Sequence, residues 1–389
     1  MIRVDVAVVG GGMVGAALAA LLADGGLEVA VIEAHPPRPP AAELDLRVSA
    51  IAPASRELLA VLGAWSTLAV DACAYTAMEV WDATGRGRTR FDAAEAGVAE
   101  LGHIVENRAI QHALWQRLEG RANLQRLCPA QVAGLLIARD TAQLELDDGR
   151  LIEAALVVGA DGARSQIRAW AGLENVGWGY GQKTIVGNLR TAEPHQATCW
   201  QRFLPSGPVA FLPLADGRCS LAWHATTDYA DHLLGLDDAT FRAELEVASG
   251  GALGAIVEVG PRGAFPLRLQ HALHYVRPRV ALVGDAAHAI HPLAGQGVNL
   301  GFRDVRALTE VLLDAVAQDA DPGEVDQLRR YQRDRQPDNG AMLLAMDAFK
   351  RGFGTTAAAL RWARNLGLDA ADRSGPLKRA VMRRAMGLG

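Results

Sequence analysis

Short valine- and alanine-rich runs that end at glycine recur along this chain. Val4 to Val9 is almost continuously apolar and stops at Gly10, the pattern of a strand buried on both faces of a parallel sheet. Ala16 to Ala23 is rich in alanine and leucine and predicts a helix directly after it. Glu28 to Glu33 predicts the second strand. Ala155 to Val158 and Arg279 to Val283 repeat the short apolar run, each before a glycine-bearing loop. Between these two the pattern changes to alternation with aromatics. Trp200 to Phe203, Pro208 to Leu214 and Cys219 to His224 predict antiparallel strands, and Tyr75 to Asp82 predicts one more in the same sheet. Val305, Leu308, Leu312 and Val316 fall at spacings of three and four, so a helix follows the last loop. The chain beyond about residue 326 also reads as helical.

The loops carry the chemistry. In Gly10-Gly11-Gly12-Met13-Val14-Gly15, Gly10 permits the tight turn and Gly12 lets the backbone approach a pyrophosphate. Gly15 lets the following helix, which opens at Met13 and Val14, lie close to the strand. That helix start offers free N–H groups and a positive dipole end to phosphate. Glu33 lies 18 residues past Gly15, in place for a ribose hydroxyl, and a carboxylate there disfavours the 2′-phosphate of NADP. This fingerprint alone does not separate FAD from NAD. The other two loops do. Gly159-Ala160-Asp161-Gly162 and Gly284-Asp285-Ala286-Ala287-His288 each bring an acid to a strand end, and Asp285 suits the ribityl chain that only FAD carries. Pro292 would fix the approach of a last segment, in which Gly295, Gly297, Val298 and Asn299 can lay backbone N–H groups against a flat ring. His288 and His291 are three apart, yet only Asp285 stands near them as a further ligand. The spacing therefore argues against a metal and leaves both as near-site candidates.

The three loops together resemble those of the single-component FAD-dependent aromatic hydroxylases, the para-hydroxybenzoate hydroxylase superfamily. The resemblance is closer to its ubiquinone-biosynthesis branch. It is carried by Arg47-Val48-Ser49-Ala50-Ile51, Leu101 to Asn107, Gly263-Ala264-Phe265-Pro266-Leu267, the Gly284 to Gly301 stretch and the ending at Ala385-Met386-Gly387-Leu388. It implies an α/β fold: a discontinuous Rossmann-like FAD-binding domain, a mixed β-sheet substrate domain and C-terminal helices. The expected bounds are 1–70, 97–170 and 270–340 for the first, 71–96 and 171–269 for the second, and 341–389 for the third. It implies that NAD(P)H reduces FAD, that O2 adds at flavin C4a, and that the hydroperoxide's distal oxygen passes to an electron-rich phenol ring. The cofactor carries that chemistry and the protein positions the ring and excludes water. By resemblance Gln111 faces the cofactor; Arg47 either reaches the FAD or its pyrophosphate or is a surface arginine on a loop. Arg108 is either a phosphate contact or a solvated charge at a helix start, and Arg164 is open in the same way. Gly263 to Leu267 resembles members acting at the last ring hydroxylation, on a demethoxyubiquinol. Met78 to Asp82 resembles those acting on the earlier octaprenylphenol.

Composition narrows the partners. The net charge of −5 gives no global signal for nucleic acid. The four cysteines are dispersed and read as reduced thiols of a cytoplasmic protein. The N-terminus enters the first strand at once, and no apolar run reaches bilayer length. From Lys350 to Gly389 there are nine Lys and Arg against two Asp. Lys378, Arg379, Arg383 and Arg384 interleave there with Leu377, Val381, Met382 and Met386. Such a helix either packs its apolar stripe on the protein or lies at a membrane surface. The expected substrate is a polyprenylated phenol or quinol, met at the inner face of a membrane, on a lipid carrier or within a biosynthetic complex. A soluble aromatic-acid hydroxylase and a non-catalytic flavoprotein scaffold are the alternatives. The oligomeric state is left open.

Overall fold

The computed structural model describes residues 1–41, 45–85, 87–289, 297–354 and 375–387. Eight of the described strands form the first sheet. Its path runs Val276–Arg277, Val280–Leu282, Leu151–Gly159, Ile2–Val9, Val29–Ile32, Leu124–Leu127, with the strands Val132–Ile137 and Ala142–Leu146 attached beside Leu151–Gly159. Val6, Ala7 and Val8 are fully buried, because helix Met13–Asp24 and its neighbours Asn107–Arg117 and Gly297–Ala317 pack over this sheet. The four central strands are parallel, and their carboxyl ends fall in one row: Ile32 beside Val9, Val9 beside Gly159, Gly159 beside Leu282. Glu33, Gly10, Ala160 and Val283 follow these four residues. Loops more than a hundred residues apart in sequence therefore leave the sheet side by side.

The second sheet also has eight described strands, in the order His288–Ala289, Ile256–Ala272, Asn175–Thr191, Cys219–Thr226, Gly207–Pro213, Thr198–Leu204, Ala77–Asp82, Arg88–Asp92. All its pairings are antiparallel except Thr198–Leu204 with Ala77–Asp82. Alternation sorts its two faces. Ile185, Phe211, Leu221 and Trp223 point to helices Thr227–Leu234 and Asp238–Ser249 and form a core with Phe241 and Leu245. Thr184, Val186, Asn188, Ala210, Ser220, Ala222 and His224 take the other face. The expected single strand from Tyr75 to Asp82 is divided. Cys73–Tyr75 pairs with Gly102–Glu106, which pairs with Val48–Ile51 in a three-stranded sheet, and only Ala77–Asp82 joins the large one.

The C-terminal chain is helical over Val325–Gly354, with Pro337 inside, and over Gly375–Ala385. Met382 of the second helix and Met386, just past its end, are buried in one cluster with Ala50, Tyr75, Ala96 and Ile104. The apolar stripe thus packs on the protein. Lys378 does not belong to the exposed basic face expected of it: it is buried, pairs with Glu95 at 2.7 Å and stands over the Phe91 ring. Arg379, Arg383 and Arg384 keep an outward face.

Candidate functional site

The row of strand ends holds the site. Gly10 has a φ of +104°, and a side chain there would strike the Ala160 carbonyl of the neighbouring loop. A Cβ on Gly15 would overlap the Gly10 carbonyl oxygen, so glycine here lets the helix meet the strand. Gly12 differs from both: a Cβ built on it meets nothing within 4 Å. It is the N-cap of helix Met13–Asp24 and receives no side-chain capping bond, so this helix start faces open space. Met13 opens the helix, and Val14 packs beneath the third loop, where a Cβ on Gly284 would touch it at 3.2 Å. The Glu33 carboxylate accepts from Gly11 N at 2.6 Å and from His35 N at 2.9 Å. Gln111 Nε2 and Trp115 Nε1 both donate to the Gly11 carbonyl, at 3.0 and 2.7 Å.

The second loop centres on Asp161. Its Oδ2 accepts from Gln166 N at 2.8 Å and Ile167 N at 3.2 Å, whereas its shielded Oδ1 has no hydrogen-bond partner among the described residues. Arg164 is exposed. Arg168, absent from the sequence reading, ties the second loop to the third: it donates to the Ala163 carbonyl at 2.9 Å and to the Ala286 carbonyl at 2.6 Å.

The third loop turns at Gly284, with a φ of +58°, into a single 3-10 turn to Ala286. The Asp285 side chain is exposed to solvent yet has many protein atoms around it. Burial pushes its carboxyl above the usual carboxylate range, and the charges of His288 and Arg47 pull the other way. His288 is buried, with Nε2 at 2.5 Å from Asp304 Oδ2, so this ring is committed within the protein rather than turned to a substrate. Gly297 and Val298 begin helix Gly297–Ala317, and a Cβ on Gly297 also meets nothing within 4 Å. Asn299 donates to the Ala50 carbonyl at 2.8 Å and accepts from Ala52 N at 3.0 Å, fastening this helix start to the Val48–Ile51 strand. His291, Pro292 and Gly295 lie outside the described residues.

The segment before Val48 stands between the two sheets. The Arg47 guanidinium lies 5.1 Å from the centre of the Phe265 ring, and a Cβ on Gly263 would touch Leu46 at 3.3 Å. Asp45 accepts from the backbone N–H of both Arg47 and Arg108. The Arg108 guanidinium is 3.6 Å from Glu106. The Thr184 and Val186 face of the second sheet therefore looks toward the cofactor loops.

These features fit FAD. An uncapped helix start with open space at Gly12, the carboxylate of Glu33, the unpartnered Asp161 oxygen and the accessible Asp285 lie along one line of strand ends. Along that row Glu33 comes first, then the Gly12 helix start, then Asp161 and Asp285, which is the order of adenosine ribose, pyrophosphate and ribityl sites such a cofactor requires. Fold and site together define an FAD-dependent monooxygenase.

Known proteins agree. Residues 3–344 match the FAD binding domain family. The chain is 43% identical to 3-demethoxyubiquinol 3-hydroxylase of Escherichia coli (strain K12), over 99% of this chain and 98% of that protein. It is 42% identical to the ubiquinone hydroxylase UbiL of Rhodospirillum rubrum, over 98% and 89%. It is 36% identical to the human mitochondrial ubiquinone biosynthesis monooxygenase COQ6, over 97% and 91%. Among solved structures, p-nitrophenol 4-monooxygenase PnpA from Pseudomonas putida superposes with a TM-score of 0.80 at 20% identity, covering 99% of both chains. The chain belongs to the FAD-dependent hydroxylase family, in its ubiquinone-biosynthesis branch.

Proposed function

We propose that this protein hydroxylates the ring of a polyprenylated phenol or quinol in ubiquinone biosynthesis, with NAD(P)H as electron donor and O2 as oxidant. The names of its relatives support the substrate class, and 43% identity to the demethoxyubiquinol enzyme supports the last ring hydroxylation as the step. The observation that carries the substrate reading is the loop-facing side of the second sheet. Its adjacent rows Phe265–Thr184–His224 and Gly263–Val186–Ala222, with Asn188 and Ser220 beyond, carry no Lys or Arg of their own, and the Arg47 guanidinium on this side is stacked over the Phe265 ring. An aromatic acid needs a cation for its carboxylate; a prenylated phenol needs small, neutral side chains and an apolar exit for its tail. Val186 and Ala210 are buried here without joining any apolar cluster of described residues, as the floor of a ring-binding recess would be.

When bound, FAD supplies the redox chemistry. The chain's residues do the rest. The Gly12 helix start and Glu33 hold the adenosine diphosphate half. Asp285 holds the polyol. The sheet floor seats the ring and keeps water from it. His224, with Nδ1 3.5 Å from Thr184 Oγ1, puts an imidazole on that floor. Among the described residues no helix is long and apolar enough to cross a membrane. A tailed substrate would be met at a lipid surface or on a carrier, and the outward arginines of the Gly375–Ala385 helix are suited to anionic headgroups.

The test is turnover by the purified FAD protein with NAD(P)H and O2. A prenylated phenol should yield hydroxylated product in step with NAD(P)H oxidation. Each buried methylene of the tail adds about 0.8 kcal/mol, so bare phenols should be poor substrates. Efficient, coupled turnover of para-hydroxybenzoate would replace this reading with the soluble aromatic-acid hydroxylase. Tight FAD binding with no phenol-stimulated NAD(P)H oxidation would replace it with the scaffold.

A further inference from the structure

Asp304, in helix Gly297–Ala317, is fully buried and accepts four hydrogen bonds from three other elements. Its Oδ2 takes the Gly284 N–H at 3.1 Å and His288 Nε2 at 2.5 Å, both from the third cofactor loop. Its Oδ1 takes Arg335 Nε and Asn339 Nδ2, both at 3.1 Å, from helix Val325–Gly354. A carboxylate has about four such acceptor positions, and all are used. Arg335 is spread as fully. Besides Asp304 it donates to Asn339 Oδ1 at 2.8 Å and to Asp338 Oδ2 at 3.0 Å. Asp338 Oδ1 in turn accepts from Arg384 of the C-terminal helix at 3.0 Å, and Arg303, 3.6 Å from Asp338, donates to the Arg384 carbonyl at 2.9 Å.

We propose that Asp304, Arg335 and His288 are positioning residues for the Gly284–Ala286 turn, and that Asp338 and Arg384 extend their hold to the C-terminal helix. The inference rests on the reading that this turn meets FAD. The relay is continuous: Arg384, Asp338, Arg335, Asp304, then Gly284 and His288, which flank Asp285. A network that only fastened helix to helix would not give half of its central carboxylate to the loop. Gly284 is in the left-handed region, and its N–H is the last fixed point before Asp285, so the bond to Asp304 sets where the Asp285 carboxylate is aimed. Buried ion pairs are weak contributors to stability and are better suited to fixing one geometry among near alternatives. The outer end of the relay is accessible, with the Arg384 side chain 67% exposed, so it can be altered without touching the core. Whatever holds or releases the C-terminal helix then changes the cofactor loop, and FAD binding must in return strengthen the docking of that helix.

The experiment measures the FAD dissociation constant of the holoenzyme by flavin fluorescence on dilution, together with the visible circular dichroism of the bound flavin. His288→Leu deletes the donor to Asp304. His288→Gln keeps a donor at the place of Nε2. Arg384→Gln opens the far end. His288→Leu should weaken FAD about tenfold and alter the flavin dichroism, and His288→Gln should return both to near the parent. Arg384→Gln should weaken FAD by about threefold and add little when combined with His288→Leu, because both cut one path. Equal FAD affinity in His288→Leu and the parent overturns the proposal, even if the variant melts at a lower temperature. Unchanged affinity in Arg384→Gln removes the C-terminal helix from it. Should His288→Leu fail to fold, Asp338→Asn takes its place, with the same two criteria. A parent that binds no FAD would instead sink the reading of the site itself.

Discussion

A valine at position 12 should leave the fold intact and abolish the cofactor. Gly12 has φ −66° and ψ −176°, extended backbone open to any residue. A Cβ there meets nothing within 4 Å, so the first atom of a side chain at position 12 finds open space. Valine restricts the unfolded chain, a gain of roughly 0.4–1 kcal/mol, but is a poorer N-cap than glycine by a similar amount, so the apo-protein changes little in stability. The same side chain fills the approach to the first N–H groups of helix Met13–Asp24. Two charge-assisted hydrogen bonds to a pyrophosphate, at roughly 1.5–3 kcal/mol each, amount to about 3–6 kcal/mol, or about 10²- to 10⁴-fold in FAD affinity. Gly15→Val is the contrast: its Cβ would overlap the Gly10 carbonyl oxygen, so folding itself should fail. The assay pairs a thermal melt of the flavin-free protein with FAD titration by fluorescence. Parent-like FAD affinity in Gly12→Val would refute the placement of the pyrophosphate. A large fall in the apo melting temperature would refute the claim that the space is empty.

Asp285→Ala should weaken FAD by ~1–3 kcal/mol while excess FAD still supports turnover, and an unchanged dissociation constant would remove Asp285 from the ribityl site. Glu33→Ala should weaken FAD by a similar amount, and its Gly11 bond should be lost with it; a shift in the hydroxylated position on the ring would contradict an adenosine-end role. Burial pushes the Asp304 carboxyl up, but His288, Arg335 and Asn339 outweigh it and hold the group below the ordinary range. Its stabilisation is therefore complete above the unfolded pKa of about 3.9 and is lost as pH falls through the lower folded value. Melts in that acid window should be steeper in pH for the parent than for Asp304→Asn, and parallel slopes would show that Asp304 is not a source of the acid lability. Arg379, Arg383 and Arg384 changed together to Gln should reduce flotation with anionic liposomes at low salt, each cation being worth about 1 kcal/mol near the surface. Equal flotation of parent and variant would leave this helix with its packing role alone.

Much of this site is legible in the sequence because strand ends and glycines write locally. Val4 to Gly15 states its strand, turn and helix within a dozen residues, and Glu33 follows at a fixed distance. Asp161 and Asp285 are legible for the same reason, each standing at the end of an apolar run. Arg168 and Trp115 are not. Their partners, the Ala286 and Gly11 carbonyls, lie 118 and 104 residues away, and nothing in a helical pattern distinguishes a side chain that reaches a distant carbonyl from one that reaches water. Asp304 is hidden more deeply, because beside Glu310 and Asp314 of the same helix it reads as one more acid of the solvated edge. Lys378 misled in the opposite direction: its spacing with Arg379 and Arg383 suggests one basic face, but Glu95 draws it inward. Tyr75 to Asp82 reads as one strand because both halves alternate, and only the tertiary pairing with Gly102–Glu106 assigns the first half to another sheet.

The third loop does more than close the cofactor cradle. It leaves the first sheet at Leu282 and enters the second at His288, where His288 pairs with His271 and Ala289 with Gln270. Five residues, Val283 to Ala287, thus join the sheet whose strand ends carry the cofactor loops to the sheet proposed to seat the ring. The strand that receives them, Ile256–Ala272, has Ala272 in the flavin-domain core and Ile256 in the core beneath Trp223. An error in the loop is therefore an error in the distance between cofactor and substrate as well as in cofactor affinity. Such misplacement acts on the reacting geometry, where even about 1 Å can cost on the order of 10²-fold in rate. This accounts for a buried carboxylate with every acceptor position occupied lying under a glycine turn. In the proposed relay, the bonds from Gly284 N and His288 Nε2 to Asp304 hold that turn in one position.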